Sequence, residues 1–134
     1  MEVMINVNGK EIKAVEYAGN MYVNTTMHNI NCFDSEGNFV ILPASGVRVD
    51  ARSSQVEVGK KNGVTFVKSS FDVDEASQKI VDEMIEAFPG IIIVGSIIAA
   101  QAYPGKVCGL CSVPGYERVA PNEKRMRLDQ FIMY

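Results

Sequence analysis

Histidine is nearly missing from this sequence: His28 is the only one in 134 residues. A general base of that type has one candidate, and with Thr25, Thr26 and Asn29 around it a turn role competes with a catalytic one. Cysteine is scarce and odd in number, with Cys32, Cys108 and Cys111 alone, which argues against a secreted disulfide framework. The opening Met1-Glu2-Val3-Met4 has neither a basic start nor a cleavable apolar stretch, so the expected location is the reducing cytoplasm. The longest apolar run, from Ile91 to Ala102, is interrupted by Gly95, Ser96 and Gln101 and falls short of the ~20 residues a membrane span needs. Positive charge is not in excess either. Thirteen Lys and Arg against sixteen Asp and Glu leave a net charge of −3, which excludes the broad basic field that holds duplex nucleic acid. There is no Walker loop, Gly-x-Ser-x-Gly elbow, dinucleotide Gly-x-Gly-x-x-Gly or His-Glu-x-x-His. The expectation is a protein that is not an enzyme and carries no cofactor.

The composition, at 47% hydrophobic, is enough to fold residues 1–134 as a single domain. Through the first seventy residues apolar and polar positions alternate between turn signals, as in half-buried strands. Asn8-Gly9, Ala18-Gly19-Asn20 and Asn62-Gly63 read as hairpin turns, and Asp34 to Asn38 as a longer one. Val47, Val49 and Ala51 alternate with Arg48, Asp50 and Arg52, which predicts a strand with both arginines on one face. From Phe71 the period changes. Asp72 with Glu75 resembles a capping box, and Ala76, Ile80, Val81, Met84 and Phe88 recur at helical spacing before Pro89-Gly90, predicting a helix over about 74–88. Ile91 to Val94 is unbroken and β-branched, which suits a strand buried on both faces. Gly95-Ser96 then opens a short helix over about 96–103. The predicted class is α+β, with a mainly antiparallel sheet drawn from the N-terminal half and two helices.

Two groups of residues carry candidate chemistry. His28 and Cys32 with Cys108-Gly109-Leu110-Cys111 have zinc-ligand types, but the halves are about eighty residues apart and only the fold could unite them. Buried thiols on a strand are the competing account. Residues 116–134 carry a net charge of +1 while residues 1–115 carry −4. Arg118, Lys124, Arg125 and Arg127 concentrate there, and Arg presents a planar fork that holds two phosphate oxygens. Tyr103, Tyr116 and Phe131 supply rings on which a base could stack. A small anionic nucleotide suits this inventory. A solvated tail pairing with the acidic helix face is the plainer alternative. Gly95-Ser96 could present helix N–H groups to a phosphate, or let the small residues around it pack closely.

Asn24-Thr25-Thr26-x-His28, Pro43-Ala44-Ser45-Gly46 followed by Arg52, the run Ile93 to Pro104, and Pro114 to Arg127 form a further pattern. As a set, spanning about residues 24–131, they resemble a family of small phage and prophage proteins, the Thoeris anti-defence proteins. That resemblance implies a sponge: a protein of the infected or lysogenic bacterial host that binds a cyclic ADP-ribose isomer, or a related cyclic nucleotide, without cutting it. It implies that Arg118, Arg125 and Arg127 grip the pyrophosphate. Tyr103, Tyr116 or Phe71 would then stack adenine, and Asn24, His28 or Arg52 would meet ribose hydroxyls. It also implies a homodimer, or a hexamer of such dimers, since two copies can enclose a ligand that one small domain cannot. The rival reading is a phage structural or protein-binding accessory whose β-rich half self-associates.

Overall fold

In the computed structural model, which describes residues 1–134, the three dipeptide turns form where the sequence places them. β1 (Glu2–Val7) returns through Asn8-Gly9 as β2 (Lys10–Tyr17), which returns through Ala18-Gly19 as β3 (Asn20–Asn24). Asn8, Gly9, Ala18 and Gly19 all have positive φ, the geometry that matches the twist of a two-residue hairpin. β4 (Ile30–Phe33) and β5 (Phe39–Leu42) flank the Asp34–Asn38 turn. A long ribbon follows, β6 (Ala51–Lys61) and β7 (Val64–Val73), then α1 (Glu75–Ala87), β8 (Ile92–Val94), α2 (Ile97–Ala102), β9 (Val107–Ser112) and β10 (Met126–Ile132).

The class is α+β, with two helices at the expected places. The helix caps are Asp74 with Phe88, and Ser96 with Tyr103. Asp74, not Asp72, caps α1, accepting from the Ser77 N–H at 3.1 Å; Asp72 is still on β7, opposite Arg52. The segment 47–50 is no strand, because β6 begins only at Ala51. Arg48 bonds Asp50 at 2.7 Å instead of sharing a strand face with Arg52.

The main sheet runs β1-β2-β3-β8-β9-β10-β4-β5. It is mixed rather than built from the N-terminal half alone. β8 is parallel to both β3 and β9, and β10 is parallel to β4, while the remaining neighbours are antiparallel. β8 and β9 take the middle of the row, and Ile93, Val94, Val107 and Cys108 are buried there on both faces. The row also closes. Ser45 N–H donates to the Asn24 carbonyl at 2.9 Å, and Asn24 bridges Ala44 in parallel sense. The six strands from β3 to β5 therefore curl into a small barrel that this one bridge closes at its corner.

Strand alternation divides the apolar residues between two cores. Tyr22, Ile30, Cys32, Leu42, Val94, Cys108 and Leu128 fill the barrel, joined by Val15 from β2. Val23, Ile93 and Val107, the sequence neighbours of three of these, point outward. There they pack with Ile5, Val7 and Ile12 under Val81 and Met84 of α1 and Ala99 and Ala102 of α2. Gly95 is tight: a Cβ there would lie 2.8 Å from Val107 Cγ1 and 3.1 Å from Thr25 Oγ1. The packing account of Gly95-Ser96 holds, and the Ser96 hydroxyl accepts from the Ala99 N–H of its own short helix at 3.1 Å. No helix is long and apolar enough to cross a membrane.

Candidate functional site

The C-terminal segment is not a loose tail. β10 lies between β9 and β4 in the barrel wall, so Arg125 and Arg127 are held beside the outer side of β4. Arg125 sits against two rings at once, with its guanidinium carbon 4.9 Å from the Phe33 centroid and 4.7 Å from that of Tyr116. Phe33 packs on Phe39, its cross-strand partner, at 5.3 Å. The Arg125 guanidinium makes no hydrogen bond or ion pair within the chain, and the residue is exposed. Arginine stacked in this way keeps its in-plane donors available while cation–π contact fixes the plane.

Three open cavities meet along this wall. One of about 410 Å³ is lined by Phe33, Asp34, Pro114, Arg125, Arg127 and Asp129, among others. A second, of about 450 Å³, shares Phe33 and Arg125 with it and adds Asn31, Phe39, Tyr116 and Lys124. The third, of about 400 Å³, shares Asn31 and Lys124 with the second and reaches His28 and Met126. Shared walls make them one groove, with Arg125 at the junction of the first two.

Two carboxylates at one end are already engaged. Asp129 takes one edge of the Arg127 fork, Nε to Oδ1 at 2.9 Å and Nη2 to Oδ2 at 3.0 Å. The bond from Arg127 lowers the Asp129 pKa, and the same bond raises that of Arg127. Asp34 accepts from Tyr17 Oη at 2.5 Å, from Asn38 Nδ2 at 3.0 Å, and from the N–H groups of Glu36 and Asn38. Those donors, the Tyr17 hydroxyl foremost, hold its pKa down to about 2, and the same bond raises that of Tyr17.

Compared with family models, curated proteins and solved structures, the chain matches none. The site therefore rests on its own geometry.

That geometry gathers Tyr116, Arg125 and Arg127, with His28 at the far end of the groove. It does not gather the others. Asn24 is buried, and its amide is spent on the His28 and Leu42 carbonyls (2.7 and 2.9 Å) and on the N–H and hydroxyl of Thr26. Tyr103 is also buried, with its hydroxyl between the Asp50 carbonyl at 2.7 Å and the Asp74 N–H at 2.9 Å. Both are buried away from the groove, and closing the fold uses the polar atoms of their side chains. Phe71 packs on the helix-side core from the base of the ribbon. Arg52 is exposed there, opposite Asp72. Arg118 is exposed on a turn and lines none of the three cavities.

The zinc set also comes apart. Cys108 and Cys111 are three residues apart on β9, which puts them on opposite faces; Cys108 lies in the barrel and Cys111 is half-buried on the other side. No group of three or more His, Cys, Asp or Glu side chains converges on a metal position. Burial pushes the Cys32 thiol up to about 12 and the Cys108 thiol up to about 11. Two site residues escaped sequence reading, Phe33 and Phe39. Their signal was present, since a hairpin around Asp34–Asn38 pairs them directly.

Proposed function

We propose that this protein captures a small anionic nucleotide of the cyclic ADP-ribose type in the groove around Arg125 and holds it intact. The observation that carries this reading is Arg125, fixed between Phe33 and Tyr116 with every N–H donor unused. Charged donors pre-set beside exposed rings match a ligand that joins a diphosphate to a base. Arg125 meets the diphosphate, with the Nη1 side of Arg127 and Lys124 to either side. The ring of Phe39, 53% exposed, and that of Tyr116 offer faces for the base. Each of the two cavities that meet at Arg125, at about 410 and 450 Å³, lies within the ~300–1,000 Å³ range of small-molecule sites.

Holding rather than converting is favoured by the carboxylates. Asp34 and Asp129 are both fixed as acceptors with lowered pKa values, so neither is poised to exchange a proton near neutrality. Binding without turnover is the sponge activity implied by the Thoeris anti-defence resemblance, and the host cytoplasm is where such a signal would be met.

The deciding experiment incubates purified protein with cyclic ADP-ribose isomers and with cyclic di- and trinucleotides, removes free ligand, denatures by heat, and identifies what is released by mass spectrometry. Intact ligand from the wild type, and none from Arg125→Ala, is the expected result. A cleaved product would make the protein an enzyme. No ligand in any mixture would overturn the reading and favour the structural accessory.

A further inference from the structure

The ribbon of β6 and β7 touches the body only at its base, where Ala51 and Phe71 pack on the helix-side core. From Arg52 to Ser70 every residue is exposed. Its two halves differ in kind. The inner half, Arg52 to Gln55 with Ser69 and Ser70 opposite, is wholly polar, and the Ser54 and Ser70 hydroxyls share a hydrogen bond across it at 2.7 Å. The outer half, Val56 to Lys68, holds Val56, Val58, Val64, Phe66 and Val67, between 47 and 65% exposed. With them stand Lys60, Lys61 and Lys68 against a single Glu57. A bulge at Val58, which has no partner in the register, lies just past the change, and a bulge bends the strand that carries it.

Strand alternation sorts the outer half further. Val64, Phe66 and Lys68 fall on one face with their partners Lys61 and Val56, while Thr65, Val67, Lys60 and Glu57 fall on the other. On the second face Lys60 pairs with Glu57 at 3.7 Å. On the first, Lys61 and Lys68 make no ion pair in the chain and frame Val64 and Phe66. Unpaired ammonium groups on long stems beside exposed apolar side chains suit a surface that offers acyl chains and anionic headgroups together.

We infer that the ribbon is a peripheral membrane arm: its outer half lies on an anionic bilayer, with Val56, Val64 and Phe66 entering the acyl boundary and Lys61 and Lys68 reaching the headgroup phosphates. The free strand edges stay among the headgroups, where water still satisfies their N–H and C=O groups. The polar inner half then serves as a spacer. The outer half carries +2 on a chain whose total is −3, which leaves −5 on the rest, and an anionic surface repels that remainder. The stretch from Arg52 to Gln55 holds it off by roughly 14 Å at ~3.4 Å per residue, beyond the ~8 Å screening length of physiological salt. A protein partner fits less well. The apolar face from Val56 to Lys61, about 10 Å wide, covers only about 200 Å², a quarter of the ~800 Å² that each side of a stable interface buries. Duplex DNA would set polar groove walls against three apolar side chains. This inference does not depend on what the groove binds.

The test uses the full chain carrying Phe66→Trp, because the sequence has no other tryptophan to mask the signal. Vesicles of phosphatidylcholine with about one-third phosphatidylglycerol should shift its emission to the blue and carry the protein down on centrifugation. Phosphatidylcholine alone and inorganic phosphate should do neither, and salt raised from about 0.1 to about 0.5 M should release the protein. In the wild-type background, Lys61→Glu/Lys68→Glu and Val64→Ser/Phe66→Ser should each weaken sedimentation with anionic vesicles at least tenfold, whereas Val67→Ser on the other face should change it less than about twofold. All the altered residues are exposed, so circular dichroism and melting of each variant should match the wild type. No binding to anionic vesicles, equal binding to neutral ones, or an emission shift with phosphate alone overturns the arm. Binding that survives both double variants, or that Val67→Ser weakens as much as they do, overturns the assigned face. Emission that changes with duplex DNA and not with vesicles would make the ribbon a nucleic-acid element and overturn the inference as well.

Discussion

Asn24 and Leu42 are joined across the seam of the barrel: the Asn24 amide donates to the Leu42 carbonyl at 2.9 Å where β3 and β5 meet. The same side chain holds the Thr25–Asn29 loop through the His28 carbonyl and the Thr26 N–H. Asn24→Ala strands several buried groups, each worth ~1–3 kcal/mol when left unpaired. A loss of about 3 kcal/mol in denaturant unfolding is expected, and an unchanged midpoint would remove the seam role.

Tyr103 is the corresponding tie on the helix side, joining the segment before β6 to the start of α1 through one hydroxyl. Tyr103→Phe keeps the ring and leaves the Asp74 N–H without its partner. We expect a destabilisation of about 1–2 kcal/mol with ligand affinity unchanged, since the ring lies away from the groove. Calorimetric melting and ligand titration on the same variant separate the two effects.

At Arg125 the expectation is reversed. Arg125→Ala removes exposed donors and two surface cation–π contacts but leaves the folded core intact, so stability should fall by no more than about 1–2 kcal/mol. Nucleotide affinity should fall roughly tenfold to a hundredfold, as for a lost charge-assisted contact worth ~1.5–3 kcal/mol. Arg125→Lys should not restore it, because a point charge lacks the planar fork. Equal affinity in all three proteins would move the site elsewhere.

Asp34 ties the β4–β5 turn to Tyr17, and its pKa of about 2 lies below the ordinary carboxyl value near 3.9. A carboxylate depressed on folding binds its proton more readily in the unfolded chain, so its contribution is whole above about pH 4 and fades as pH falls toward 2. Unfolding midpoints measured through that window should drop for the wild type. They should drop less steeply for Asp34→Asn, which has no proton to gain there.

The thiols make a chemical prediction. Cys32 and Cys108 lie inside the barrel with pKa values pushed up to about 12 and 11, whereas Cys111 is half-buried on the opposite face of β9. A thiol reagent at about pH 8 acts on the thiolate. It should modify Cys111 alone in the native protein and all three cysteines after denaturation, read by mass spectrometry of the labelled chain.

Local signals account for much that was legible in advance. Asn-Gly pairs encode positive φ, so the hairpins at Asn8-Gly9 and Asn62-Gly63 follow from adjacent residues. Helical spacing from Ala76 to Phe88 and the stop at Pro89-Gly90 place α1 without any distant contact. The unbroken Ile91–Val94 run marks a strand covered on both faces, and β8 is one. Asn24 and Tyr103 were expected as ligand groups, and the structure buries both in internal hydrogen bonds, for a common reason. A polar side chain shows its type in the sequence but not its partners, and here the partners are carbonyls and N–H groups far along the chain.

Residue order therefore determined the hairpin turns, both helices and the supply of arginine and aromatic rings, because those depend on neighbours within a few positions; it did not mark β10 or the Asp74 cap of α1. Only tertiary structure decided that β8, β9 and β10 enter between β3 and β4, that the row closes at Asn24, and that Arg125 lies between Phe33 and Tyr116. Such pairings depend on which apolar faces are buried together, and parallel neighbours such as β4 and β10 are separated by most of the chain. No local pattern carries that information, so the groove exists only once the barrel has formed.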